Sequence, residues 1–127
     1  MQNFLKPIIL ISLFKILMGS FFASGDTHTW FIPFVDHFVT NFDNPWQYFY
    51  SIGETMVFPY GPIMLYPLAL VTLILSPLTF IFGNSISLIS FSITLLLFDL
   101  GIYFLLIKLL EGHERKVFYL YFCSPLV

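Results

Sequence analysis

The sequence predicts an all-α integral membrane protein: a multi-span helical bundle whose external loop carries short interfacial helices. Three observations predict it. The 127 residues are 58% hydrophobic and only 9% charged, against about 25% charged in an ordinary soluble domain. Mean hydropathy is +0.90. The apolar residues are gathered into runs long enough to cross a bilayer, broken by one long polar interval at 23–61. A soluble fold of this length cannot hide so much apolar surface, so lipid must cover it.

The formal net charge of −2 comes from few charges, and no basic stripe of the kind a phosphate backbone needs is present. Nucleic acid is therefore excluded as a partner. Cys123 is the only cysteine, which rules out an intrachain disulfide and suits a small buried apolar residue.

The first segment, 4–22, reads as an uncleaved transmembrane helix. Cleavage after Ala23 would place Phe21 and Phe22 where a signal peptidase wants small residues. The segment 62–82 is also of spanning length, but Pro67 and Pro77 each remove a backbone donor, so it is either spanning or re-entrant. The segment 85–110 is a transmembrane helix with Asp99 inside it. The segment 117–127 is apolar but too short to cross a core of about 30 Å, and reads as the start of a further span. The whole is then the front portion of one larger membrane domain.

Two topologies satisfy these segments. Lys6 and Lys15 place the N-terminus in the cytoplasm, so the loop 23–61 is external, at a plasma (inner) membrane. If 62–82 spans, the cluster Lys108, Arg115, Lys116 falls outside and breaks the positive-inside rule. If 62–82 is re-entrant or lies near the outer surface, the rule is kept. The prolines and the two-residue link Gly83-Asn84 fit the second arrangement. The depths of the two intramembrane charges fit the first. Lys15 lies about 10 Å below the outer end of its helix, and Asp99 about 20 Å or about 15 Å deep depending on direction, so a direct pair is easier if everything spans.

Within the loop, Thr29 to Thr40 has helical periodicity. Trp30, Phe31, Phe34, Val35, Phe38 and Val39 share one face, and Thr29, Pro33, Asp36 and Thr40 the other. This predicts an interfacial helix with its rings in lipid and Asp36 toward water or a cavity. Asn44-Pro45-Trp46-Gln47 predicts a second short helix, capped by Asn44, with Pro45 in its first turn and Gly53 as its stop. Phe58-Pro59-Tyr60-Gly61-Pro62 is a rigid turn leading back to the membrane. The ring-rich surface reads first as an interfacial belt, next as packing of the loop on the bundle, and third as a sugar-stacking or lipid-facing groove, the first two sufficing by themselves.

The loop holds Asp26, His28, Asp36, His37, Asp43 and Glu54, with no Lys or Arg. Asp26 is either a turn residue or a carboxylate able to act as general base on a hydroxyl or to hold a cation. Asp43 reads as solvating or capping the turn 41–44, and Glu54 as a solvated loop residue. The Asp/His pairs lack the spacing of a structural zinc site, so no structural zinc is expected. Lys15 and Asp99 read as an ion pair inside the bundle, or Lys15 as an attractor of a lipid phosphate.

This layout resembles the start of a GT-C-fold glycosyltransferase. The matching stretches are Ser24-Gly25-Asp26-Thr27-His28, the helix from Thr29, Phe58-Pro59-Tyr60-Gly61-Pro62, Ile81-Phe82-Gly83-Asn84-Ser85 and Phe122-Cys123-Ser124-Pro125. The resemblance implies transfer of a sugar, mannosyl or another hexosyl, from a polyprenyl-phosphate carrier to a glycan, lipid or protein acceptor at the external face. It implies Asp26 as the catalytic base, with His28, Asp36, Tyr60 and Lys15 contacting substrate, and it leaves a divalent cation open. The family's first acidic motif is often a carboxylate pair; here it is Asp26 and His28. Two other readings stand beside it: a small non-enzymatic multi-span accessory protein, and part of a transporter coupled through Lys15 and Asp99.

Overall fold

The computed structural model describes residues 5–55 and 58–124. It is helical throughout, with no strand among the described residues. Helix α1 spans Leu5–Phe21. A π-helical turn, Thr27–Phe31, runs directly into α2, Ile32–Asn41. Helix α3 is Pro45–Ser51. Helix α4, Pro62–Leu75, continues through a 3-10 turn at Ser76–Leu78 into α5, Thr79–Phe82. Helix α6, Ser85–Leu109, is followed by α7, Glu114–Val117, which passes into a second π turn, Phe118–Phe122. Two stretches are long and apolar enough to cross a membrane, Pro62–Phe82 and Ser85–Leu109. Their flanks leave Ile63, Phe80 and many other large apolar side chains exposed, a surface that suits lipid. The segment 4–22 is seen as α1 from Leu5. The last three residues of the segment 117–127 lie outside the described residues.

Local chemistry explains the breaks. Pro67 lies inside α4 and leaves the Ile63 carbonyl without its helical donor. Pro77 sits in the first turn of the 3-10 stretch, where a missing N–H costs little. Gly83, at φ +55°, then turns the chain into α6. Asn44 Oδ1 accepts from the Gln47 N–H at 3.3 Å, as the capping pattern predicts, with Pro45 in the first turn of α3. Gly53, at φ +85°, follows the end of that helix.

Helix α6 is the spine. α1 packs along it antiparallel: Ser20 Oγ meets Ser92 Oγ at 3.3 Å and Lys15 meets Asp99 at 2.5 Å, so residue numbers rise on one helix as they fall on the other. The approach is close because Gly19 has no side chain. A Cβ there would lie 2.8 Å from Ser92 Oγ. α4 also packs along α6, reversed by the turn at Gly83. α1 and α4 therefore run in the same direction along α6. Lys6 and the Lys108–Lys116 cluster lie toward one end of the α1–α6 pair, since they flank opposite termini of antiparallel helices.

This register resolves the depth mismatch between Lys15 and Asp99. α1 and α6 are not flush. Ser20 is one residue from the end of α1, whereas Ser92 lies two turns inside α6, a stagger of roughly 10 Å at 1.5 Å per residue. The stagger lets the pair form between antiparallel helices, so the pair does not favour the all-spanning arrangement.

Two cores form. One joins Phe34 and Val35 of α2 to Phe58 and to Leu65, Leu68 and Ala69 of α4. The other joins Tyr103 of α6 to Val117, Phe118 and Phe122, with Ile8 and Ile11 of α1 packed on it. The first core corrects the expectation of lipid around Phe34 and agrees with the second reading, packing of the loop on the bundle. Phe34 is only 1% exposed, stacked on Phe58 at 4.7 Å and Phe49 at 5.4 Å and edge-on to Trp46 at 5.0 Å. The reason is that α2 is covered on two sides. α3 and Phe58 close over Phe34, while α4 and α6 lie under Val35 and Asp36. Periodicity reports one apolar face; only the fold supplies the second.

Candidate functional site

The candidate side chains sit on the helical segment that starts past α1 and runs through α2, and on the turn before α4. Ser24 Oγ accepts from the Thr27 N–H at 3.2 Å and contacts Thr27 Oγ1 at 3.0 Å, which starts the helical segment just past α1. Asp26 falls in this first turn, with helical backbone angles and an exposed side chain. An acid at this position also suits the positive end of the helix. His28 is exposed as well. Asp36 lies about 15 Å further along the helical segment at 1.5 Å per residue, so the structure does not bring Asp26 and Asp36 together as a carboxylate pair.

Asp36 does not point to open water. Ser87 Oγ donates to its carboxylate, at 3.0 Å from Oδ1 and 3.2 Å from Oδ2. Burial between α2 and α6 raises its pKa above the ordinary 3.8, and the Ser87 hydrogen bond opposes this only in part. Asp36 and Ser87 line a small cavity of about 10 Å³ together with Leu68, Thr72 and Phe91. An adjoining cavity of about 120 Å³ shares Leu68 and Phe91 with it, and is walled by Phe31, Phe58, Tyr60 and Met64. Tyr60 is half exposed, with its ring 5.7 Å from both Phe31 and Phe58. Asp36 and Tyr60 therefore serve two neighbouring cavities of one cleft, while Asp26 and His28 stay on the surface.

His37 follows Asp36 but belongs to a different contact set. Its ring stacks on Tyr48 at 3.8 Å, its Nε2 meets Asp43 Oδ1 at 2.9 Å, and its Nδ1 faces Asn41 Nδ2 at 3.2 Å. Asp43 thus ties the α2–α3 corner together through a side chain rather than capping the turn. Both ring nitrogens are occupied, so His37 and Asp36 do not form a metal-binding pair. No group of three potential metal ligands occurs among the described residues.

Lys15 is engaged. Its Nζ lies 2.5 Å from Asp99 Oδ2 and 4.7 Å from the centre of the Phe122 ring. Tyr121 faces Asp99 from the second π turn. A positive charge so occupied is poorly placed to attract a lipid phosphate.

Sequence reasoning missed Ser87, Ser92 and Phe91. The signal was a row of hydroxyls, Ser85, Ser87, Ser90, Ser92 and Thr94, in an otherwise apolar helix. In α6, Ser90 and Thr94 return their hydroxyls to the carbonyls of Ile86 and Ser90, whereas Ser87 and Ser92 reach other helices.

No known family, curated protein or solved structure matches the chain.

Proposed function

We propose that this chain belongs to a membrane glycosyltransferase that moves a sugar from a polyprenyl-phosphate carrier to an acceptor hydroxyl at the external face. The observation that carries this reading is the direction of the helices. With the N-terminus in the cytoplasm, antiparallel α1 and α6 return Lys108, Arg115 and Lys116 to the side of Lys6, in keeping with the positive-inside rule. α4 then runs outward beside the outer half of α6, as a juxtamembrane helix rather than a full crossing. The helices α2 and α3 become a platform at the outer boundary, with Asp26 at the mouth of α1 and the Asp36 cleft beneath. Carboxylates at such a boundary can accept the proton of an attacking hydroxyl. In this reading Asp26 is the base, Asp36 and Tyr60 contact the acceptor, His28 borders the entrance, and the Lys15–Asp99 pair holds the bundle.

The test is lipid-linked sugar transfer by the intact protein in proteoliposomes. Asp26→Asn is expected to lower turnover by at least a hundredfold with the thermal midpoint preserved. Turnover within threefold of wild type would remove Asp26 from the chemistry.

A further inference from the structure

The cleft between α2, α4 and α6 has a chemistry of its own. Its larger part is apolar and aromatic, about 120 Å³ in volume, well below the 300 Å³ or so of a pocket for a whole drug-sized ligand. That space suits a stretch of one aliphatic chain. Its smaller part is about 10 Å³, roughly the room that one water oxygen needs. Asp36 and Ser87 border that space, and the Ser87 hydroxyl donates to both carboxylate oxygens without exhausting their lone pairs.

The charge around the cleft is one-sided. From Ile16 to Ile107 the chain contains no Lys or Arg. Every wall of the cleft comes from within that stretch. His37, the nearest histidine in sequence, has both ring nitrogens committed to Asp43 and Asn41. An anionic phosphate entering here would meet the Asp36 carboxylate and no fixed cation, in a setting that screens charge poorly.

We infer that this cleft binds an uncharged, hydroxyl-bearing amphiphile: one hydroxyl donates to Asp36 beside Ser87, and the aliphatic part lies among Phe31, Phe58, Met64 and Phe91. The inference rests on the glycosyltransferase reading and deepens it, because it assigns this cleft to the acceptor alcohol and excludes the anionic donor from it. Thr72 and Tyr60 mark the polar edges of the two cavities. The small volume beside Asp36 admits a single hydroxyl oxygen and is too small for a phosphate group.

The test uses the intact protein in phosphatidylcholine nanodiscs, titrated with octyl β-glucoside or octyl phosphate, each brominated at the chain end. Bromine quenches the two tryptophans, Trp30 and Trp46, which both pack on the core that borders the cleft. The expected result is saturable quenching with half-saturation at least tenfold lower for the glucoside. In Asp36→Asn, which keeps the side-chain shape, the preference should shrink because the anion is no longer repelled. Met64→Phe, which fills the apolar cavity, should weaken both ligands together. The inference is overturned if octyl phosphate binds as well as the glucoside in the wild type, or if the preference is unchanged in Asp36→Asn. Sugar transfer measured on the same preparation separates the two proposals. Glucoside preference without transfer leaves the cleft and removes the enzyme; transfer without the preference does the reverse.

Discussion

Breaking the Lys15–Asp99 pair should destabilise the bundle unequally from its two sides. The Nζ–Oδ2 separation is 2.5 Å, for which Coulomb's law at an effective dielectric of about 20 gives an attraction of roughly 7 kcal/mol. Most of that offsets the cost of taking two charges out of water, several kcal/mol per ion. Removing one partner leaves the other uncompensated, at about 3–5 kcal/mol. The side chains differ in exposure, 18% for Lys15 and 2% for Asp99. A stranded lysine can swing its ammonium toward water on its flexible stem; a stranded Asp99 cannot. Lys15→Met should therefore lie near the upper end of that range and Asp99→Leu near the lower end. The double variant Lys15→Met/Asp99→Leu should come within about 1 kcal/mol of wild type, because apolar replacement of a buried pair is often neutral or better. Equilibrium unfolding in mixed micelles with increasing SDS measures all four proteins. Additive costs, or a Lys15→Met cost below that of Asp99→Leu, would refute the reasoning.

The other predictions follow from packing and from the acid–base balance of Asp36. Gly19→Leu places a branched side chain where a Cβ alone would already be 2.8 Å from Ser92 Oγ, and overpacking of this kind costs about 1–3 kcal/mol. A cysteine cross-link between Ser20→Cys and Ser92→Cys, efficient in the parent, should then fail. Phe34→Ala empties the most ring-rich part of the first core and should cost about 3–5 kcal/mol in the same unfolding assay. The pKa of Asp36 is raised in the fold, so its contribution to stability is fully present below about pH 3.8 and is lost as pH rises through the folded value. Wild type should therefore lose stability relative to Asp36→Asn between pH 3.5 and 7; a relative gain over that interval would contradict the burial of this carboxylate.

Much of the local structure was legible in the residues. The caps at Asn44 and Pro45, the glycine turns at Gly53 and Gly83 and the long apolar helix containing Asp99 each follow from short-range chemistry. The surroundings of the loop helices were not. The α2 pattern correctly separates Phe34 and Val35 from Thr40, yet it leaves both lipid and the bundle open as cover for the rings, because a single-helix period cannot say which covers a face. Asp43 looked like a turn cap because nothing local reveals that His37 is held nearby by Tyr48. The period leaves Asp36 facing water or a cavity, and the residue that decides for the cavity, Ser87, is distant in sequence.

The sequence by itself determined that this is a chain of apolar helices with one acidic, ring-rich interval free of Lys and Arg, since composition and period are properties of local stretches. Tertiary structure alone decided the stagger of α1 against α6. That offset is set by Gly19 meeting Ser92, and it brings Lys15 level with Asp99. It also decided which carboxylate is sheltered. Asp26 and Asp36 are the same residue type on one continuous helical segment, and only the crossing of α6 beneath the second gives it a serine partner, a raised pKa and a cleft.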